Sequence, residues 1–267
     1  MSLLLKGAKY TSVGQITLRN HFAYVVDFLV RSIFLLIILY IFMQLWQVTF
    51  QGEGSSLIAG YSFKQMIWYL IFTESMTLAC PSVCNKVEEE VKSGDVAYRL
   101  TRPVSYIGFH YMAFMSEVAV RFSINLTIGT VLGILVLGLP DFGYGWLAFF
   151  LVAAFGFTIN FMLNMALALS AFWVEETRGL EFVYNKLLFT IGGMLMPLEI
   201  FPETMQRICH WLPFQTVLYF PAKTAVHYDG SKLLTMLGIQ CIWLVIMGLV
   251  VVFIYSRGVK KLNVNGG

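Results

Sequence analysis

Long apolar runs alternate with short polar intervals along this chain. The runs have the length of membrane-crossing helices, which need about 20 mostly apolar residues. Six segments answer that description: 28–48, 63–83, 122–139, 146–172, 182–196 and 233–255, the fifth being short. Segment 28–48 holds fourteen Leu, Ile, Val or Phe residues. At about 0.3–0.6 kcal/mol each they favour insertion by roughly 4–8 kcal/mol, which outweighs Arg31 near one end, where a long side chain snorkels to the interface. Segment 63–83 has about half as many and carries Glu74 near its middle. Its favourable sum, about 2–4 kcal/mol, is nearly cancelled by a central carboxylate costing about 2.5–3.5 kcal/mol. This span therefore depends on neighbouring helices. The pattern predicts an all-α polytopic membrane protein with six transmembrane helices in one domain, residues 1–267.

Three stretches break the pattern. Residues 1–24 mix polar and apolar positions and read as an elbow lying along the inner interface. Nothing in the first 20 residues reads as a cleavable signal, because no apolar core precedes a small-residue cleavage site. Residues 198–228 carry Pro202, able to open a short helix at its first position, then Met205, Ile208, Cys209 and Leu212 at helical spacing. Pro213 ends that turn, and Phe214, Val217, Leu218 and Pro221 repeat the spacing. The expected element is a helical hairpin dipping into the outer leaflet, packed on protein or lining a wet cavity. The third stretch, 85–105, is a charged island with Glu88, Glu89, Glu90 and Asp95 beside Lys86, Lys92, Arg99 and Arg102. Its EEEVKSG string reads as a short helix stopping near Gly94, with acid toward the amino end and Lys92 toward the carboxyl end, as the helix dipole prefers. Two readings of the island stand open: a solvated loop face and a docking surface.

Composition strengthens the membrane reading. Hydrophobic residues make up 58% of the chain, charged residues 12%, and the mean hydropathy is +0.74. Soluble domains carry about 25% charged residues. With the amino terminus inside, Lys6, Lys9, Arg19, Lys86, Lys92, Arg99, Arg102, Arg178, Arg257, Lys260 and Lys261 face the cytoplasm. Only Lys64, Arg207, Lys223 and Lys232 fall outside, so the positive-inside rule sets the orientation with both termini cytosolic. Net charge is +3 with no basic stripe, which gives no sign of a nucleic-acid partner.

Little in the chain points to catalysis. There is no G-x-x-x-x-G-K-[ST] phosphate loop, no H-E-x-x-H and no G-x-S-x-G. His21, His110, His210 and His227 are scattered. Cys80 and Cys84 are two ligands at most, too few for a metal site. Glu74 reads either as a functional intramembrane carboxylate or as one satisfied or neutralised in the bundle. Asp27–Arg31 and Glu117–Arg121 have the i, i+4 spacing of ion pairs. Gly156, Asn160 and Asn164 form one stripe, either a helix contact with interhelical hydrogen bonds or a polar wall of a pathway. Gly129 and Gly133 favour close helix approach. Glu74, Asn160 and Asn164 are the pathway candidates.

The string SGDVAYRLTRPVSY, 93–106, resembles the segment after the second span in ABC-2 type permeases of the six-span branch. That branch shows a Gly-Asp/Glu-Ile/Val pattern, here Gly94, Asp95 and Val96, then Leu-x-Arg-Pro, here Leu100, Arg102 and Pro103. A second match is 196–230, where Pro197, Leu198, Phe201, Pro202, Leu212, Pro213, Phe214 and Pro221 fill the branch's positions. AGYSFKQMIWYL, 59–70, is a weaker third. The resemblance implies the membrane half of an ABC exporter, working as a homo- or heterodimer of permease chains with two separate ATPase subunits. ATP and Mg²⁺ then bind the partner, and this chain holds no cofactor or metal and is not itself an enzyme. It implies that 87–98 is the coupling element, with Val87, Glu88, Glu89, Glu90, Val91, Gly94, Asp95, Tyr98 and Arg102 meeting the ATPase. It also implies that 198–228 closes the outer side, with Phe201, Pro202, Pro213 and Phe214 as the gate, in a bacterial cytoplasmic membrane. The substrate class suited to the spans is amphipathic or lipophilic. Two other readings remain: a proton-coupled carrier using Glu74, and a non-transporting membrane scaffold or sensor.

Overall fold

The computed structural model describes residues 25–265, and the amino-terminal elbow expected over 1–24 lies outside them. The side chains of Asp27 and Arg31 also lie outside the described set. Helices α1 (Val25–Glu53), α2 (Phe63–Ala79), α3 (Val83–Ser93), α4 (Asp95–Leu100), α5 (Tyr106–Leu137) and α6 (Gly145–Ala168) come first. They are followed by α7 (Arg178–Ile191), α8 (Glu203–His210), α9 (Tyr219–Val226) and α10 (Gly230–Asn265). Short 3₁₀ turns at Leu169–Phe172, Leu198–Ile200 and Pro213–Thr216 join the later elements. No strand occurs among the described residues. The protein is an all-α polytopic membrane protein.

Helix α2 is the axis of the bundle. Ser62 and Gln65 start it with a reciprocal capping box: Ser62 Oγ accepts from the Gln65 N–H and Gln65 Oε1 from the Ser62 N–H. Pro81, just past Cys80, ends it by removing a donor. In the segment Phe63–Ser93, 78% of the most apolar window is buried inside the protein, against 17% in Gly230–Lys261. The weakest span by hydropathy is thus the one wrapped by protein, as its low insertion energy requires. Gly129 and Gly133 on α5 make the approach possible. A Cβ on Gly129 would stand 2.8 Å from Ile71 Cγ2, and one on Gly133 2.8 Å from Ile71 Cδ1 and 2.9 Å from Trp68 Cη2. On α6, Gly145 and Gly156 bring the backbone equally close to Ala225 O and Val217 O.

Among the described residues five segments are long and apolar enough to cross a membrane: Ser32–Glu53, Phe63–Ser93, Tyr106–Leu137, Gly145–Phe172 and Gly230–Lys261. The sixth predicted span, 182–196, differs. Here α7 has 14 residues, about 21 Å at 1.5 Å each, short of a hydrocarbon core of about 30 Å. It stops at Gly192 and Gly193, the latter at φ +73°, a left-handed conformation that glycine adopts without penalty. The turn is pinned to α2: the Tyr69 hydroxyl donates to Gly193 O, and Thr73 Oγ1 donates to Met194 O at 2.7 Å.

The chain still crosses here, in pieces. Glu88 of α3 bonds Thr177, immediately before α7, at one end of the bundle. Gln65, in the first turn of α2, bonds Val226 O at the end of α9. Residues 178–229 therefore carry the chain from one end to the other. The carboxyl end of α10 returns to the first end, where a Cβ on Gly258 would clash with Phe172. Among the described residues the chain thus runs the length of the bundle in five long helical segments and in this composite.

Within 198–228, α8 begins after Pro202, which sits at the cap rather than at the first helical position, and Pro213 opens a 3₁₀ turn rather than ending α8. Cys209 is buried while Met205 and Ile208 are about half exposed. Helix α9 is buried along its length except at Lys223. Lys223 and the Tyr219 hydroxyl both bond Glu199, so α9 is closed against the 3₁₀ turn by an ion pair.

Candidate functional site

The charged island folds as two short helices turned by Gly94, which caps α3 at φ +79°. Cys84, Val87 and Val91 form a spine on α3, the first two fully buried. At 100° per residue, Glu88 and Glu90 flank that spine on either side while Glu89 points away. The outcome follows the wheel: Glu88 and Glu90 are buried and Glu89 is exposed.

Each buried glutamate is a hub. Glu88 Oε1 accepts from Lys92 Nζ at 2.6 Å, and its Oε2 accepts from both the N–H and the hydroxyl of Thr177, at 2.7 and 2.8 Å. Both carboxylate oxygens of Glu88 are thereby satisfied, by Lys92 on one side and Thr177 on the other. Glu90 Oε1 lies 3.0 Å from Arg99 Nε, and its Oε2 accepts from the Tyr106 hydroxyl at 2.8 Å and meets His110 Nε2 at 3.1 Å. Glu117 on α5 joins Lys86 at 2.7 Å and also pairs with Arg121. Helix α3 is thereby wired to α4, to α5 and to the loop between α6 and α7. Groups taken from water this completely contribute chiefly when every partner is present.

Of the coupling residues implied by resemblance, Val87, Glu88 and Glu90 face inward and Val91 is half-buried; Glu89, Gly94, Asp95, Tyr98 and Arg102 face out. Arg102 lies over the Tyr98 ring at 4.7 Å. Adjoining this face is a cavity of about 450 Å³ lined by Glu88, Lys92, Trp173, Val174, Glu175 and Lys261, among others. Trp173 and Val174 are 43% and 44% exposed, which makes them an apolar patch beside the charged helix. Sequence reasoning missed this loop. Its signal was faint: WVEET interrupts an apolar run.

The pathway candidates divide. Asn164 Nδ2 donates to Asn160 O and Oδ1, at 2.9 and 3.0 Å, and the Tyr184 hydroxyl donates to the same Oδ1. Both asparagines nevertheless line a cavity of about 380 Å³ between the end of α2, α6 and α7. Glu74 is absent from that lining. It is 1% exposed, and its Oε2 has no hydrogen-bond partner. At the opposite end, Phe201 and Phe214 are half-buried, Pro202 exposed and Pro213 buried. Among the described residues no cluster of three or more His, Cys, Asp or Glu is placed to hold a metal.

No curated protein matches the chain. The family model described as "ABC-2 family transporter protein" matches residues 34–266, a stretch that takes in the island, the composite fifth passage, most of α1 and the four long segments after it. Its reach over nearly the whole chain, together with the polytopic helical fold, makes this chain a member of the ABC-2 transporter family, the non-catalytic membrane permease of that type.

Proposed function

We propose that this permease is the membrane half of an exporter driven by ATP hydrolysed on two separate ATPase subunits, one for each permease chain of a dimer. The observation that carries the reading is the outward face of α3 and α4, with Glu89, Asp95, Tyr98 and Arg102 exposed over a base fixed by Glu88 and Glu90. A helix held this way moves only with the elements behind it, so force applied to its face reaches α5 and the start of α7. The island end faces the cytosol by the positive-inside rule, which puts both termini there. Outward transport rests on the resemblance alone. Without a phosphate loop, the purified chain is expected to hydrolyse no ATP until an ATPase subunit is added. Appreciable turnover by the chain alone contradicts the proposal.

One observation favours a second reading. A buried carboxylate oxygen without a partner suits a proton-coupled carrier centred on Glu74. That reading expects transport in liposomes by the chain alone, driven by a pH gradient and abolished by Glu74→Gln. The exporter reading expects Glu74→Gln to leave ATPase-dependent transport in place.

A further inference from the structure

We propose that the cavity between α2, α6 and α7 binds the headgroup of a zwitterionic membrane amphiphile, cationic end outermost. This rests on the permease reading and names the substrate class for it. Two charges line the cavity on α7, Glu181 and Lys186. Neither side chain is in an ion pair among the described residues; Lys186 Nζ stands instead 5.3 Å from the Phe182 ring centroid and 5.7 Å from that of Phe189. Five helical residues separate the two charges by about 7.5 Å along the axis. The two stand about 140° apart around the helix and both border the cavity; an acid and a base without ion-pair partners complement a ligand that carries both charges. Asn185 also lines the cavity, beside Asn160 and Asn164, whose amides are already bonded to each other, to the Tyr184 hydroxyl and to Cys80 Sγ.

The order of the charges gives the ligand its direction. Glu181 lies in the first turn of α7, beside the island, and Lys186 lies deeper toward the middle of α2. A phosphate ester of an amino alcohol, on a lipid entering from the island side, has this same order: ammonium toward water, phosphate toward the chains. Past Lys186 the polar cavity meets Phe189, which also lines a second cavity of about 210 Å³. The other residues there, such as Leu195, Met196, Phe201 and Met205, are nearly all apolar. Polar and apolar compartments in series along one helix match the two parts of an amphiphile. Neither compartment alone requires one.

Cys80 lines the polar cavity and is partly exposed, while Cys84 and Cys209 are buried. In a Cys241→Ser background of the full chain, held in amphipol, Cys80 is the accessible thiol for a small methanethiosulfonate reagent. Dodecylphosphocholine is expected to slow labelling about tenfold more than dodecyl phosphate or dodecyltrimethylammonium, as one charge-assisted contact allows. Glu181→Gln removes its advantage over dodecyl phosphate, and Lys186→Gln its advantage over the ammonium. Neither charge is ion-paired, so the unliganded variants label at the parent rate. Equal protection by all three amphiphiles, no protection, or discrimination kept in both variants overturns the proposal. ATPase recruitment measured on the same sample separates the two readings: recruitment with flat protection removes only the ligand, while discrimination without recruitment removes only the motor.

Discussion

Glu90→Ala is expected to lower the stability of the permease by about 3–5 kcal/mol, the usual cost of breaking a buried charged hub. Glu89→Ala is expected to change it by no more than about 0.5 kcal/mol. The two residues are neighbours of the same type. They differ in what lies behind them: Glu90 holds Arg99, Tyr106 and His110 at 3.0, 2.8 and 3.1 Å, and Glu89 is exposed. Removing Glu90 leaves a guanidinium, a hydroxyl and an imidazole competing for water they cannot fully reach. Thermal unfolding in detergent measures the difference. Similar melting temperatures for the two variants would mean that the hub bears no load. Glu89→Ala should instead weaken ATPase attachment, because it alters the face and leaves the scaffold intact.

Gly133→Leu is expected to be the most damaging single change in the membrane-spanning helices, costing about 3 kcal/mol or more by overpacking. Even the first added carbon stands 2.9 Å from Trp68 Cη2 and 2.8 Å from Ile71 Cδ1. Both side chains are fully buried on α2, so neither swings aside into lipid. Displacing α2 also loosens the Tyr69 and Thr73 bonds that pin the turn after α7. The control is Gly238→Leu on α10, where no atom lies within 4 Å of the added carbon. Size-exclusion chromatography should show aggregation of the first variant and a parent-like peak for the second.

The sequence was most readable where one periodicity or one charge rule dominates. The five long spans follow from hydropathy, the stop at Gly94 from turn chemistry, and the Glu117–Arg121 pair from i, i+4 spacing. The fifth passage was less readable because 182–196 is apolar enough for a span, yet Gly192 and Gly193 break it and α2 supplies the partners for the freed carbonyls. The sequence predicts a third span over 122–139, whereas α5 runs from Tyr106 to Leu137. The turns in between carry His110 and Glu117, whose polarity hides a helix when the expected partner is lipid rather than the island. Burial of Glu88 and Glu90 was available from the wheel set by Cys84, Val87 and Val91. Thr177, the partner of Glu88 and 89 residues from it, was not, since local pattern does not encode a contact at that separation. The facing of Glu181 and Lys186 into one cavity likewise needed the helix break that composition conceals.

A motor seated on the α3–α4 face is the central claim, and site-specific photo-cross-linking tests it most directly. A photoreactive residue would replace Tyr98, Trp173 or Trp211 in turn, the last being 83% exposed at the opposite end of the bundle. With an ATPase subunit bound, Tyr98 and Trp173 should yield permease–ATPase adducts and Trp211 none. Adducts from Trp211, or a bound ATPase that never cross-links from Tyr98, would contradict the account.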